Sequence, residues 1–317
     1  MSTRTRIGSS DLEVSGLALG GNVFGWTADH ETAFGVLDAF VAGGGDLIDT
    51  ADVYPAWAQG RSGGESETII GEWLAARGNR DRVVIATKVA SHPEFKGLGP
   101  HNVRDAVDAS LERLGIDRID LYYAHYDDPA TPLEKAVAVF SELVDAGKVR
   151  AIGLSNFTPE RVTAWCDVAR AGGYHAPVAL QPHYNLVERG YERNGLRDVA
   201  EREGLGVFPY YSLAEGFLAG KYRDAEAAVA AGASERAEDA VRYLNTRGRQ
   251  VLAALDEIAA ARGVEVATVS LAWLRQQPTV VAPIASARDT EQLAGLLASL
   301  ELELSADELN ALAEASA

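Results

Sequence analysis

The chain has 317 residues, 47% hydrophobic and 24% charged, the balance of a folded globular protein with a large core rather than a disordered one. With 46 acidic against 29 basic side chains its net charge is −17, so nucleic-acid phosphates and anionic membranes are repelled on average. A single cysteine, Cys166, excludes an internal disulfide and any multi-thiolate metal site and reads as a small buried residue.

The opening "MSTRTRIGSSDLEVSG" lacks the apolar core of a signal peptide, and no later run reaches 18 consecutive apolar residues. The expectation is a cytoplasmic protein that does not span a membrane. Within this opening, "TRTRIGSSDLEVS" reads as two short strands around a "GSSD" turn, a hairpin able to cap the bottom of whatever follows.

Short apolar, β-rich runs then recur: "LALGG" at 17, "DLIDT" at 46, "VVIATKV" at 83, "DLYYAH" at 120, "VRAIGLSN" at 149, "APVALQP" at 176, "GVFPYYS" at 206 and "VVAPIAS" at 280. Between most of them lie amphipathic, helix-length segments such as "HETAFGVLDAFVAGG", "GESETIIGEWLAARG" and "HNVRDAVDASLERLG", each ending near Gly. Such alternation predicts parallel strands joined by helices. Eight units with near-continuous apolar strands suit a (β/α)8 TIM barrel spanning residues 1–317 as one domain. An open doubly wound sheet is the competing fold, weakened because "LGGNVFG" does not have the G-x-G-x-x-G spacing. About 65 residues separate the seventh and eighth strands, too many for one helix and its loops. They hold an extended excursion at about 213–248, acidic and Ala-rich, then the helices "RQVLAALDEIAAARG" and "VATVSLAWLRQQ".

In a barrel of this kind the C-terminal ends of the strands face the mouth where chemistry occurs. Asp49 ends the second strand, Lys88 the third and His125 the fourth, and Tyr54 follows in the loop after the second. Singly, each has an ordinary explanation as a cap, a rim charge or a structural hydrogen bond. Together at consecutive strand ends they make a proton-transfer apparatus. Asp49 pairs with and orients Lys88, the ammonium lowers the pKa of the Tyr54 phenol and makes it a general acid, and His125 supplies a second hydrogen bond to a polarised oxygen. With no thiol or metal cluster nearby, the species that adds to a carbonyl carbon here is hydride from a bound cofactor.

"DTADVY", the Lys of "ATKV", the His of "YYAH" and "GLSNF" at 153 resemble the aldo-keto reductases in order and spacing, and the likeness covers nearly the whole chain. It implies a tetrad of Asp49, Tyr54, Lys88 and His125 and a nicotinamide cofactor bound without a Rossmann fold. It also implies that Ser155, Asn156 and Gln181 hold the carboxamide and that Tyr210 stacks on the nicotinamide. After the eighth strand, "SARDTEQL" offers Ser286, Arg288 and Gln292 to a 2′-phosphate at a helix start, which favours NADP (NADPH), with NAD left open. Asp289 beside Arg288 is unwelcome near a phosphate if it faces inward. The alternatives for these clusters are a helix cap at Ser155 and Asn156 and a solvated helix start at 286–292.

Phe24, Trp26, Trp57 and Tyr126 lie in loops above the tetrad, where they form a substrate wall for a small-molecule carbonyl or serve only loop packing. The run "YDDPAT" disfavours a negatively charged substrate. Two other functions compete: a cofactor-loaded, noncatalytic barrel that senses or regulates, and metal-assisted hydrolysis, for which a His and carboxylate cluster is lacking.

Overall fold

Each of the eight apolar runs contributes a strand to one parallel sheet: Ala18–Gly20, Leu47–Asp49, Val84–Val89, Ile119–Ala124, Val149–Ser155, Ala179–Gln181, Gly206–Val207 and Ile284–Ala285. The computed structural model describes residues 4–224 and 240–317. Spatial order follows chain order, and the eighth strand pairs with the first in parallel, Ile284 opposite Ala18. Backbone bonds from Val281 N to Val207 O and from Ile284 N to Pro209 O, both 2.9 Å, join the seventh strand to the eighth and close the barrel. The open-sheet alternative is thereby excluded.

Alternation along the strands sets the two layers of the core. Leu47, Val84, Ala86, Leu121, Tyr123, Ala151 and Ala179 meet in one buried cluster inside the barrel. Their neighbours Ile48, Ile85, Tyr122, Ile152 and Leu180 belong to the other cluster, packed with helix residues such as Val36, Phe40, Ile70, Trp73 and Val107. The same parity carries Asp49, Lys88, His125, Ser155 and Gln181 to the inner side, at the ends where the strands stop.

The N-terminal hairpin forms as expected, Thr5–Arg6 antiparallel to Glu13–Val14. Its Ile7, Leu12 and Val14 join the inner cluster, so they plug the barrel at the end opposite the polar rim. Gly8 makes this fit possible: its φ is +52°, and a Cβ there would lie 2.3 Å from the Val178 carbonyl oxygen.

Helix starts and stops follow the sequence closely. His30–Ala42 begins after Asp29, whose carboxylate accepts from Thr32 N, and Glu65–Arg77 and Pro100–Leu114 end on Gly78 and Gly115 with positive φ. The two helices expected before the eighth strand are Thr246–Arg262 and Val266–Arg275. Residues 225–239 of the Ala-rich excursion lie outside the described residues. A small hairpin after the third strand, Ser91–His92 with Phe95–Lys96, has no counterpart in the sequence reading, because two-residue strands carry no periodicity.

Candidate active site

Asp49 and Lys88 meet inside the rim, the ammonium donating to Asp49 Oδ2 at 2.7 Å with Lys88 fully buried. The second and third strands pair Asp49 with Ala86, so Lys88 stands two residues further toward the mouth and its long side chain returns to the carboxylate. The ammonium also donates to the Thr50 carbonyl at 2.7 Å and to the Tyr54 hydroxyl oxygen at 3.3 Å. An ammonium has no lone pair. The phenol oxygen is therefore the acceptor in that contact, and its own proton is left to point elsewhere.

The sequence reading expected Lys88 to lower the pKa of this phenol, and the structure corrects it. Burial pushes Tyr54 well above the ordinary tyrosine range, and the Asp49 carboxylate adds to the rise. Burial disfavours the charged phenolate, and this outweighs the neighbouring ammonium. Burial likewise lowers the Lys88 pKa, opposed by Asp49. Tyr54 thus keeps its proton, which it could surrender to an atom more basic than a phenolate, such as an alkoxide oxygen.

His125 is buried, its ring 6.2 Å from that of Tyr54. Burial first, and then the Lys88 ammonium, hold its pKa well below the usual imidazole value. It stays neutral, with Nδ1 unpartnered among the described residues. A neutral ring can donate one hydrogen bond to an oxygen without supplying a second acidic proton.

A polar chain continues along the rim from His125. Asn156 Nδ2 donates to the His125 carbonyl at 2.9 Å and to Ser155 Oγ at 3.1 Å, and Ser155 Oγ donates to the Gln181 carbonyl at 2.9 Å. Asn156 adopts a left-handed φ of +58°, which asparagine tolerates better than most residues. Tyr210 donates its hydroxyl to Asn156 Oδ1 at 2.8 Å and stacks on His183, an aromatic neighbour absent from the sequence reading. Gln181 Nε2 donates to Asp49 Oδ1 at 2.9 Å, which ties this chain to the ion pair. Ser155, Asn156 and Gln181 together offer the donors and acceptors that a carboxamide needs. These residues fit a nicotinamide.

At the eighth strand, Ser286 donates to Asn22 Oδ1 at 2.6 Å, and a Cβ on Gly20 would come within 2.5 Å of Ser286 Oγ. Asp289 caps the helix Thr290–Ala298 by accepting from Gln292 N at 2.8 Å, and it also takes Gln292 Nε2 at 3.1 Å. Its carboxylate is engaged within the helix start. Arg288 is exposed, and its guanidinium has no hydrogen bond or ion pair among the described residues.

Of the expected aromatic wall, Phe24 is a correction. It is 0% exposed and packs in the cluster between barrel and helices, because its loop folds inward over the helix Glu65–Arg77 and the residue joins the core. Trp26, Trp57 and Tyr126 do gather at the mouth: Trp57 lies edge-on to both Trp26 and Tyr54, at 5.8 and 5.5 Å, and Tyr126 leans on His125 at 4.9 Å. Exposed Tyr211 joins them, a residue that the sequence reading weighed only as a neighbour of Tyr210.

Asp52 has a different environment. It is 0% exposed, and neither carboxyl oxygen has a hydrogen-bond partner among the described residues. Burial, and then the Glu67 carboxylate, push its pKa well above the usual range. A raised folded-state pKa means that stability is greatest below the unfolded value of about 4 and falls as pH rises through the folded one. Asp52→Asn is therefore expected to leave the melting temperature almost unchanged near pH 4. Toward pH 8 it should become stabilising by roughly 1–3 kcal/mol. Thermal melts of both proteins at the two pH values check this; equal differences at both would show an ordinary ionised carboxylate.

A parallel barrel with its ionisable side chains converging at one rim is the architecture of a barrel enzyme. The model of the Aldo/keto reductase family matches residues 16–317, and the chain belongs to that family. It is 35% identical to the protein tas of Escherichia coli over 96% of this chain and 94% of that one. It is 34% identical to the aldo-keto reductase YhdN of Bacillus subtilis, over 92% and 85% of the two chains. Norsolorinic acid reductase B of Aspergillus parasiticus is 32% identical, over 97% and 82%. The protein is accordingly an oxidoreductase of the carbonyl-reducing class. No helix among the described residues is long and apolar enough to cross a membrane.

Proposed function

We propose that the protein reduces aldehydes or ketones to alcohols using NADPH, with Tyr54 as the proton donor. The observation that carries this reading is the contact of the Lys88 ammonium with the Tyr54 oxygen at 3.3 Å, which leaves the phenolic proton free for a substrate oxygen. When bound, the reduced nicotinamide supplies the hydride. Tyr54 gives its proton as the carbonyl oxygen becomes an alkoxide, and Lys88 and neutral His125 stabilise the charge that develops on the two oxygens. Asn156, Ser155 and Gln181 would hold the carboxamide, and Tyr210 would stack on the nicotinamide.

The preference for NADPH rests on Arg288, an uncommitted guanidinium at a helix start whose neighbouring carboxylate is occupied. Aromatic side chains around the mouth favour a ring-bearing carbonyl substrate. A cofactor-oxidation assay over a panel of aliphatic and aromatic carbonyl compounds tests the activity; no turnover of any would favour the noncatalytic, cofactor-binding alternative. Arg288→Ala is expected to weaken NADPH binding about tenfold to a hundredfold and NADH binding no more than about twofold. Equal losses in a titration with both cofactors would place the 2′-phosphate elsewhere.

A further inference from the structure

We infer that Ser66 and Glu67 are positioning residues that set the Lys88–Tyr54 contact from behind the sheet, acting through Thr50, Tyr54 and Thr87. This rests on the reading of Tyr54 and Lys88 as the proton-delivering pair.

The argument begins with strand parity. Asp49 and Lys88 point into the barrel, so Thr50 and Thr87, each next to one of them in the chain, point outward to the helix Glu65–Arg77. Two consecutive residues in the first turn of that helix receive them, both fully buried. Thr50 Oγ1 donates to Ser66 Oγ at 2.8 Å, and Ser66 Oγ passes its own proton to the Gly21 carbonyl at 2.8 Å. Thr87 Oγ1 donates to Glu67 Oε1 at 2.5 Å. Ser66 N also donates to the Tyr54 carbonyl at 3.3 Å. One helical step thus holds the residue after Asp49, the residue before Lys88 and the backbone of Tyr54.

Glu67 is itself fixed. Arg113, from the next helix, donates to Glu67 Oε2 at 2.7 Å, and the first turn of a helix favours a carboxylate. Thr50 is gripped at both ends, its hydroxyl by Ser66 and its carbonyl by the Lys88 ammonium. Of the three bonds that the ammonium donates, the one to Tyr54 is the longest at 3.3 Å, against 2.7 Å for the other two. A shift of a few tenths of an ångström between the second and third strands would leave the ion pair intact and take the phenol out of hydrogen-bond range. The contact on which proton delivery depends is therefore the one most sensitive to the brace.

Thr87→Val tests this, because it keeps the shape of the side chain and the Glu67–Arg113 pair while deleting the hydroxyl. The expected result is a kcat lower by roughly tenfold to a hundredfold and a changed pH profile of kcat, with the NADPH Kd from fluorescence titration within about twofold. Thr87→Ser restores the hydroxyl and is expected to return kcat to within about threefold of the parent. Ser66→Ala severs the other arm and carries the same expectation should the valine variant not fold by circular dichroism. Any of three results overturns the inference: a folded Thr87→Val or Ser66→Ala with parental kcat and pH profile, a serine variant no better than valine, or NADPH affinity that falls in parallel with kcat. If Tyr54→Phe is inactive while the brace variants behave as parent, the brace alone is wrong. If Tyr54→Phe keeps full activity, the reading beneath it fails.

Discussion

Tyr54→Phe is expected to lower kcat for carbonyl reduction by roughly 10²–10⁴-fold while leaving the cofactor Kd within about twofold. The substitution deletes one oxygen and no ring contact, so the edge-on packing against Trp57 at 5.5 Å persists. What disappears is the only hydroxyl in contact with the Lys88 ammonium among the described residues. The expectation rests on position: the Lys88 ammonium uses the phenol oxygen as an acceptor, so the phenolic proton remains available to a substrate oxygen. Steady-state kinetics beside a cofactor titration measure both quantities. Full activity would move the acid role to another group, with His125 the next candidate.

Lys88→Met is expected to abolish activity and to destabilise the fold by about 3–5 kcal/mol, read from the midpoint of urea unfolding. Lys88 is 0% exposed, and its loss leaves the Asp49 carboxylate buried with only Gln181 Nε2 to satisfy it among the described residues. The double variant Asp49→Leu/Lys88→Met removes both charges and should recover most of the stability with none of the activity. That separation would show the ion pair serving chemistry at no net gain to folding. A double variant as unstable as the single one would mean that the rim requires the pair to fold.

Much of this is legible in the sequence alone. Eight apolar runs with amphipathic segments between them named the barrel, and Asp49, Lys88 and His125 were marked by being ionisable at strand ends. The hairpin cap showed in a "GSSD" turn between two short runs. Phe24 was misjudged because a loop aromatic reads alike whether it faces the mouth or folds back into the core; only packing separates the two. The direction of the phenol's pKa is not legible there, because sequence shows that an ammonium is near and not how deeply the ring is buried.

Periodicity and residue type, which are local, determined the strand count, the parity that turns Asp49, Lys88, His125, Ser155 and Gln181 inward, and the end of the barrel at which they gather. The tertiary structure decided which of them touch: that Lys88 divides its three bonds among Asp49, Thr50 and Tyr54, that Asp289 spends its charge on a helix cap, and that Ser66 and Glu67 reach the backs of two strands. Parity fixes a direction for each side chain independently of its partners. A hydrogen bond needs two atoms from distant parts of the chain to agree within a few tenths of an ångström, and only the closed barrel with its helices in place brings them to that agreement.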